Sequence, residues 1–341
     1  MRKILSVLLA LLLLPAFALG EGTLNLLTWE GYVDDETIAA FESEYNVDVV
    51  FSPMDTIDDM LLKMSQSGGD NYDLVLSSDY SLGLLRNQGL LQKLDKSKLA
   101  NYGNIGENFL SFFYDPDNEY VVPYVAGTPL IVYDEAAIGF EITGYEDLWD
   151  ERLADSVVIL DNPRVVIGIV LKTLGQSFNV TDPAILAQAK DKLMKLYPNI
   201  RVFDDNTPDV AIVNGECTVG FMYTSQVHAA MQQRPDLKIA YPKEGMGFGV
   251  DGFVIPVKAK NVDNAHLFLD YLMRPEVAAH CAEMQGYICV NKAADPYLSE
   301  AFRSDPVVYI PDDILGQTEF VQDVGESESL FTDIYTAFKL Q

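Results

Sequence analysis

The sequence predicts an α/β fold with two lobes, each a mixed sheet flanked by helices, and a ligand cleft at the hinge. Strand-like and helix-like segments alternate almost to the C-terminus, and 341 residues are enough for two domains. The first unit is a strand at Thr23–Trp29, a helix at Asp34–Tyr45 and a strand at Val47–Phe51. Such a βαβ unit crosses over right-handed, and ligands lie beyond the carboxyl ends of its strands. Trp29–Tyr32 is therefore predicted to lie on a binding edge.

The same alternation continues through the first block of the chain. Apolar spacing and helix-capping residues predict a helix at Thr56–Ser67, a strand at Asp73–Leu76, a helix at Tyr80–Asn87 capped by Ser77–Asp79, and strands at Tyr120–Val125 and Pro129–Tyr133. Gly127 separates the last two strands. It is one candidate crossing between the lobes.

A second block begins near Glu146. The predicted elements are a helix around Leu148 and Trp149, a strand at Val157–Leu160, helices at Pro163–Leu174 and Asp182–Leu196, a strand at Arg201–Phe203, a helix at Asp209–Asn214, a strand at Thr218–Tyr223 and a helix at Ser225–Gln233. The first two long helices begin with a proline in the first turn, a normal helix start.

The chain then returns toward the first block. Strands at Lys238–Pro242 and Val250–Val257 precede helices at Ala265–Arg274 and Glu276–Gln285 and a tail with further helical pieces. Gly245–Gly252 is the second candidate crossing, and hinge closure is a recurrent behaviour of two-lobed proteins. We assign residues 21–126 plus 252–296 to lobe 1, and residues 127–251 plus 297–341 to lobe 2.

Residues 1–20 have the composition of a secretory signal peptide. Arg2 and Lys3 precede the apolar run Ile4–Leu14, and Pro15–Gly20 supplies small residues for cleavage. The apolar run is too short to span a membrane, and no cysteine follows it to carry a lipid anchor. We predict a periplasmic protein with a cleaved signal peptide; an uncleaved N-terminal anchor is the alternative.

The formal net charge of −28 makes nucleic acid and anionic lipid poor partners, since both require a basic face. A cationic ligand suits this charge, although solubility explains it equally well. Cys217, Cys281 and Cys289 have no metal-site spacing. Cys281 and Cys289 are either a disulfide that closes a short loop or two free thiols, and the sequence leaves this open. We predict no metal and no cofactor.

Enzyme motifs are absent from the sequence. It contains no GxSxG, HExxH or GxxxxGK[ST] motif and no GxGxxG followed by a helix. Gly245, Gly247 and Gly249 precede a strand, and we interpret them as a flexible crossing. The acid pairs Asp204–Asp205 and Asp312–Asp313 are interpreted as solvated loops. The sequence therefore predicts no catalytic residue and favours a binding protein over an enzyme.

Short stretches along the whole mature chain together indicate a family. They are Trp29–Val33, Tyr72–Val75, Asp95–Leu99, Asp115–Tyr124, Asp147–Trp149, Leu174–Pro183, Pro242–Gly245, Asp251–Asn261, Phe268–Pro275 and Gly286–Tyr287. Because of the order and spacing of these stretches, the chain resembles the periplasmic spermidine/putrescine-binding proteins of polyamine ABC importers. The resemblance implies the type II-like two-lobed periplasmic binding protein fold, a monomer with its ligand in the interlobe cleft, and a membrane permease as partner.

The resemblance also implies a set of ligand-binding residues. These are the cleft aromatics Trp29, Tyr32 and Tyr287, Ser78 and Tyr80 after the third strand, Tyr223 where the family usually has a Trp, and Asp251 as the carboxylate for an amine. Aromatic faces and a carboxylate suit an aliphatic polycation, because a buried ammonium without a carboxylate is very costly. Each residue has a structural alternative: packing for the aromatics and a helix cap for Ser78.

Departures from the family pattern leave the ligand open. Acids that usually hold a terminal amine are replaced by Asn162 and Val165, and the positions of two aromatics and a Gln are Gly249, Ala126 and Val321. Asn162, Glu30 and Asp79 are further candidate ligand-binding residues, and the two acids are candidate compensations. The ligand is putrescine, spermidine or another small amine or solute. Two further hypotheses are a metal-binding form of the scaffold and a receptor-coupled sensor without transport.

Overall fold

The computed structural model describes residues 22–54 and 56–341, apart from the side chains of Tyr80 and Asp312. The predicted signal peptide lies outside these residues. The strands are β1 Gly22–Thr28, β2 Val47–Pro53, β3 Leu74–Ser78, β4 Val121–Gly127, β5 Leu130–Tyr133, β6 Val157–Ile159, β7 Ile200–Phe203, β8 Val219–Met222, β9 Lys238–Ala240, β10 Gly247–Val254, β11 Ile288–Cys289 and β12 Glu319–Phe320.

Helices connect and cover these strands. They are α1 Asp35–Tyr45, α2 Ile57–Ser67, α3 Asp79–Asn87, α4 Glu135–Ile138, α5 Pro163–Thr173, α6 Pro183–Leu193, α7 Pro208–Val213, α8 Thr224–Gln233, α9 Val262–Leu272, α10 Pro275–Gln285, α11 Glu300–Arg303, α12 Asp312–Leu315 and α13 Glu328–Lys339. Single 3₁₀ turns occupy Lys96–Lys98, Tyr102–Asn104, Glu107–Phe109, Tyr145–Trp149, Glu151–Leu153, Met194–Asn199, Asp295–Tyr297 and Gly325–Ser327. In the described part of the chain, no helix has the length and apolar character that a bilayer span requires.

The first sheet has the strand order β11-β4-β10-β3-β1-β2, with β12 paired to the start of β10. Strand β1 is parallel to β2 and β3, whereas β10 is antiparallel to β3 and β4. Alternate residues of β1 point to opposite faces: Leu24 and Leu26 belong to one buried cluster and Leu27 to another. Helices α1 and α9 cover the first face, where Phe41 meets Phe268 edge-on at 4.7 Å between ring centroids.

The second sheet has the order β7-β6-β8-β5-β9, in which β6 is parallel to β7 and β8 and β5 is antiparallel to β8 and β9. Its central strands β5, β6 and β8 are short and buried along their whole length, as expected for strands covered on both faces. Helix α5 is buried along most of its length and is capped by Asn162, whose side chain accepts hydrogen bonds from the Arg164 and Val165 amides. The predicted architecture of two mixed sheets flanked by helices is present.

The crossing from the first sheet to the second is short and hydrogen-bonded. Strand β4 ends at Gly127 and β5 begins at Leu130. The Thr128 amide donates to the Thr224 hydroxyl at 2.7 Å, and the Thr128 hydroxyl donates to the Gly247 carbonyl at 2.5 Å. Both threonines are buried. These bonds join the end of β4, the start of β10 and the start of α8 at one point between the sheets.

Two segments have a different secondary structure from the one that the sequence predicted. Gly247 and Gly249 lie inside strand β10, because this segment pairs with both β12 and β4 and so is ordered as a sheet. The predicted helix around Leu148 and Trp149 is a 3₁₀ turn. The Asp147 and Glu244 carboxylates accept from backbone amides at the start of this turn, so these amides have partners outside a regular helix. The two-residue strands β11 and β12 were not predicted, because they are too short to show a period.

Candidate ligand-binding site

The predicted binding edge forms where β1 and β3 end side by side. Trp29 follows β1, Ser78 ends β3, and the two strands are parallel neighbours. Strand β10 enters antiparallel and brings Asp251 directly opposite Ser78 on one side and Val125 on the other. A register shift in the β10–β4 ladder follows Asp251. A β-bulge of this kind redirects a side chain at a sheet edge.

Asp251 lies at the centre of a group of hydroxyls and aromatic rings. The Tyr32 hydroxyl donates to Asp251 Oδ2 at 3.1 Å, and its oxygen is 3.5 Å from the Tyr287 hydroxyl. The Tyr32 ring lies 6.1 Å from the Tyr287 ring and 5.1 Å from the Trp29 ring, centroid to centroid. The Ser78 hydroxyl also hydrogen-bonds to Asp251. Tyr32, Ser78 and Tyr287 therefore lie around one carboxylate, and the Trp29 ring packs against the Tyr32 ring.

The Asp251 carboxylate has no positively charged partner in the described part of the chain. Burial raises its pKa to about 6, and the hydrogen bonds from Ser78 and Tyr32 only partly oppose this shift. Among the described residues, no lysine, arginine or histidine contributes to the shift. Burial also raises the pKa of Tyr32 well above its usual value, and the nearby Asp251 adds to this rise. The tyrosine hydroxyl stays protonated and remains a hydrogen-bond donor.

The turn that carries Tyr32 is held from behind. Gly31 has φ of +80°, a backbone conformation that glycine adopts without strain. The Tyr124 hydroxyl donates to the Tyr32 carbonyl at 2.7 Å, and Gln285 Nε2 donates to the Tyr124 hydroxyl at 3.3 Å. Neither Tyr124 nor Gln285 was predicted from sequence. Their role is to position the Tyr32 side chain toward Asp251.

The second sheet contributes Tyr223 and Asn162. Tyr223 lies between β8 and α8, and Asn162 Nδ2 donates to its hydroxyl at 3.2 Å. Burial raises the Tyr223 pKa well above its usual value, and so do the nearby charges of Asp205 and Asp251. The Ser225 hydroxyl, in the first turn of α8, hydrogen-bonds to Tyr287. Tyr223 and Tyr287 therefore lie where residues from both sheets meet.

The remaining predicted residues have different environments. Asp79 is buried in the first turn of α3, close enough to Gly249 that a Cβ there would lie 3.3 Å from its Oδ2. Glu30 is exposed. The Tyr80 backbone belongs to α3, and its side chain lies outside the described part of the chain. Ser78 lies at the N-cap position of α3, as the helix-cap alternative predicted, but its side chain makes no cap hydrogen bond there and its hydroxyl acts on Asp251 instead.

Asp205 is a residue that sequence reasoning missed. We interpreted Asp204–Asp205 as a solvated loop, but Asp205 Oδ1 is buried and has no hydrogen-bond partner among the described residues. Burial, together with the negative charges of Asp161 and Asp204, raises the Asp205 pKa to about 6, and the neighbouring Tyr223 hydroxyl partly opposes this rise. The sequence holds no signal for this difference, because two adjacent acids in a polar loop have the same local pattern.

The three cysteines and His280 make their contacts outside the hydrogen-bonded group around Asp251. Cys217, Cys281 and Cys289 are free thiols, so the disulfide that the sequence left open is not formed. Burial raises the pKa of the Cys281 and Cys289 thiols to about 11. His280 Nε2 lies 2.8 Å from Asp34, a residue whose other oxygen caps α1. These groups do not join the hydrogen bonds around Asp251.

Comparison with known proteins shows relatives along the whole chain. The spermidine/putrescine-binding periplasmic protein of Salmonella typhimurium is 33% identical over 332 residues, which are 97% of this chain and 95% of that protein. The putrescine-binding periplasmic protein PotF of Escherichia coli is 33% identical over 86% of this chain and 85% of its own length.

Solved structures agree with the fold. The spermidine/putrescine ABC transporter substrate-binding protein PotD from Streptococcus pneumoniae matches with a TM-score of 0.85 at 30% identity, covering 94% of this chain and 99% of that one. The Tp0655 lipoprotein of Treponema pallidum matches with a TM-score of 0.86 at 26% identity, covering 94% and 100%. The predicted two-lobed binding-protein fold is confirmed.

The family model for bacterial extracellular solute-binding proteins matches residues 36–308, which is most of the chain. This match also confirms the prediction of a binding protein rather than an enzyme. With relatives above 30% identity over nearly the full length, the chain belongs to the bacterial extracellular solute-binding protein family.

Proposed function

We propose that this protein is the solute-binding subunit of a spermidine/putrescine ABC transporter and that it captures a polyamine between its two sheets. One observation carries the proposal: the half-buried Asp251 carboxylate has no cationic partner among the described residues, and it lies beside Tyr32 and Tyr287, whose rings continue to Trp29. An ammonium group supplies three donors and a positive charge to such a site. The names of the relatives, which bind spermidine and putrescine, support the same ligand class.

The rings around Asp251 suit the rest of a polyamine. Trp29, Tyr32 and Tyr287 offer faces for charged nitrogens and for the methylenes between them. Each cation–π contact contributes about 0.5–2 kcal/mol, with the larger value where water is excluded. The hydroxyls of Tyr32 and Ser78 already hydrogen-bond to Asp251, which fixes its orientation before the ligand arrives. Such preorganisation lowers the free-energy cost of binding.

The proposed setting is the periplasm, with an ABC permease in the membrane as partner. The curated relatives are periplasmic proteins by name, and the residues before the described fold have the composition of a signal peptide. Ligand that bridges the two sheets favours the closed arrangement by population shift, because it gains contacts only there. The closed form then presents a joint surface of both lobes to the permease.

Isothermal titration tests this proposal. The mature protein is unfolded and refolded to remove bound ligand and is then titrated separately with putrescine and spermidine. We expect a Kd in the micromolar range or below for at least one of them. A folded sample that releases no heat with either polyamine, and shows no shift in its melting temperature, contradicts the proposal.

A smaller amine as the natural ligand is the second candidate, and one observation favours it. Where relatives of this type are expected to place acids, Asn162 is engaged in capping α5 and in bonding to Tyr223, and Val165 is buried. That end of the site thus offers no carboxylate from the start of α5. Titration with butylamine and with amino acid amides separates this candidate from the first.

A further inference from the structure

The two acids of the loop before α7 are in opposite situations. Asp204 Oδ1 accepts from the Asn206 amide at 2.8 Å and the Thr207 amide at 3.1 Å, and its Oδ2 accepts from the Thr207 hydroxyl at 3.2 Å. Asp204 thus folds its own loop. Asp205 Oδ1 is buried with no partner among the described residues. A buried carboxylate oxygen without a donor lowers the stability of the fold unless a ligand supplies the donor.

Asp205 is fixed beside the residues of the candidate site. Gln226 Oε1 accepts from the Tyr223 amide at 2.9 Å, while Gln226 Nε2 donates to the Asp205 carbonyl at 2.9 Å. This one side chain ties the Asp205 loop to the start of α8. The Tyr223 hydroxyl lies next to the Asp205 carboxylate and also accepts a hydrogen bond from Asn162. Asp205 therefore faces the end of the site that lost the acids expected at Asn162.

No protein cation among the described residues offsets the charge of Asp205. The charges that act on it are those of Asp161 and Asp204, both negative. Asp161 is itself neutralised by Lys339, whose Nζ lies 2.7 Å from its Oδ2, so this lysine is already engaged. The negative charges of Asp251 and Asp205 both raise the pKa of the Tyr287 hydroxyl, and they raise the pKa of the Tyr223 hydroxyl in the same way. The two uncompensated carboxylates therefore flank the same pair of tyrosines, one from each sheet.

We propose that Asp205 binds the second ammonium group of a polyamine whose first ammonium is held by Asp251. This inference rests on the proposed polyamine function and deepens it, because it names the acid that replaces those missing at Asn162 and Val165. The orphan Oδ1 accepts one ammonium hydrogen, and the Tyr223 ring and hydroxyl complete the contact. The site then selects ligands with two separated positive charges over monoamines of the same length.

Titration of Asp205→Asn tests this inference with a matched control. Asp191→Asn removes the same charge from an exposed position on α6 of the same lobe. We expect Asp205→Asn to weaken putrescine binding by about 30-fold or more, the lower end of the loss typical when one partner of a desolvated charge pair is removed. The control variant should bind within about twofold of wild type, since exposed charges contribute little. Butylamine, followed by NMR titration at millimolar concentration, should bind Asp205→Asn and wild type with about equal affinity.

The outcomes separate this inference from the function on which it rests. Wild type that binds no polyamine overturns the function itself. Wild type that binds putrescine while Asp205→Asn binds it equally well leaves the function intact and overturns the role of Asp205. Equal losses of putrescine and butylamine also overturn it, because the second subsite touches only the diamine. Asp205→Ser is made in parallel, so that a folding defect of the Asn variant, seen by thermal unfolding, does not prevent a decision.

Discussion

Replacing Asp251 with Asn should weaken ligand binding and strengthen the ligand-free fold. Asn keeps the size of the side chain and an acceptor for the Tyr32 hydroxyl, but it has no negative charge. Loss of a desolvated carboxylate opposite an ammonium costs about 2–5 kcal/mol of binding free energy. That range corresponds to roughly 30-fold to several thousand-fold in Kd.

The effect on stability follows from the raised pKa. Burial shifts the Asp251 pKa from 3.8 to about 6. Because the folded state binds the Asp251 proton more tightly than the unfolded state, the contribution of Asp251 to the free energy of unfolding falls as the pH rises from about 4 to about 6. Two pKa units correspond to about 3 kcal/mol, which is the upper limit of the cost of the charge above pH 6. Asp251→Asn removes this cost and should raise the free energy of unfolding by up to about that amount at pH 8.

Urea denaturation without ligand, at pH 8 and at pH 5, measures the stability difference, and titration with putrescine measures the binding loss. The stability gain of Asp251→Asn should shrink at pH 5, where the wild-type carboxyl is largely protonated. A variant that is less stable than wild type at pH 8, or that binds putrescine with unchanged affinity, would refute the reasoning. The first result would mean that the charge is satisfied in the free protein, and the second that the ligand does not contact it.

Three further predictions use other features of the fold. Asp73→Asn should lower the free energy of unfolding by about 2–4 kcal/mol in urea, because this carboxylate accepts five hydrogen bonds that keep its pKa low against the effect of burial. Gly286→Ala should cost about 1–3 kcal/mol, since φ is +67° and a Cβ would lie 2.5 Å from His228 Cδ2; Gly325→Ala, with φ of +58° and open space, should cost less in the same thermal melts. Polyamine affinity should fall below about pH 6 by up to tenfold per pH unit for each carboxyl that must lose a proton, as Asp251 does, and titrations at pH 5 and pH 8 with equal affinities would contradict this.

Local pattern was sufficient to predict the sheet edge and most elements. The helix at Pro163–Thr173 was predicted within one residue, because its proline and capping Asn lie next to one another in the chain. The βαβ unit placed Trp29 at a carboxyl strand end for the same local reason. By contrast, Asp251 lies directly across from Ser78 because of the register between β10 and β3. These strands are far apart in the chain, and no local pattern encodes their register. The family resemblance supplied Asp251; periodicity did not.

The rest of the site depends on contacts that form only in the tertiary structure. Gln226 ties the Asp205 loop to α8, and Tyr124 holds the Tyr32 turn, yet each is an ordinary polar residue in its own segment. The difference between Asp204 and Asp205 arises because one carboxylate turns back to its own loop amides while an oxygen of the other is buried beside Tyr223 without a donor. Only the hydrogen-bond partners distinguish them. Sequence reasoning therefore named Tyr223 and Asn162 on the second sheet but missed Asp205, Tyr124 and Gln285.

Asp73 and Asp251 differ in how far hydrogen-bond donors satisfy their carboxylates, and this difference supports the proposed role of Asp251. Asp73 is buried and Asp251 is half-buried, but five donated hydrogen bonds lower the pKa of Asp73, whereas two hydroxyls leave Asp251 with a raised pKa. A carboxylate of the second kind lowers stability until a cation arrives. In the proposed arrangement Asp205 adds another such charge from the second sheet, so the free protein brings two like charges toward one space, and a dication offsets their repulsion by its attraction to both carboxylates. The charge of the ligand then contributes directly to the free energy that holds the lobes together.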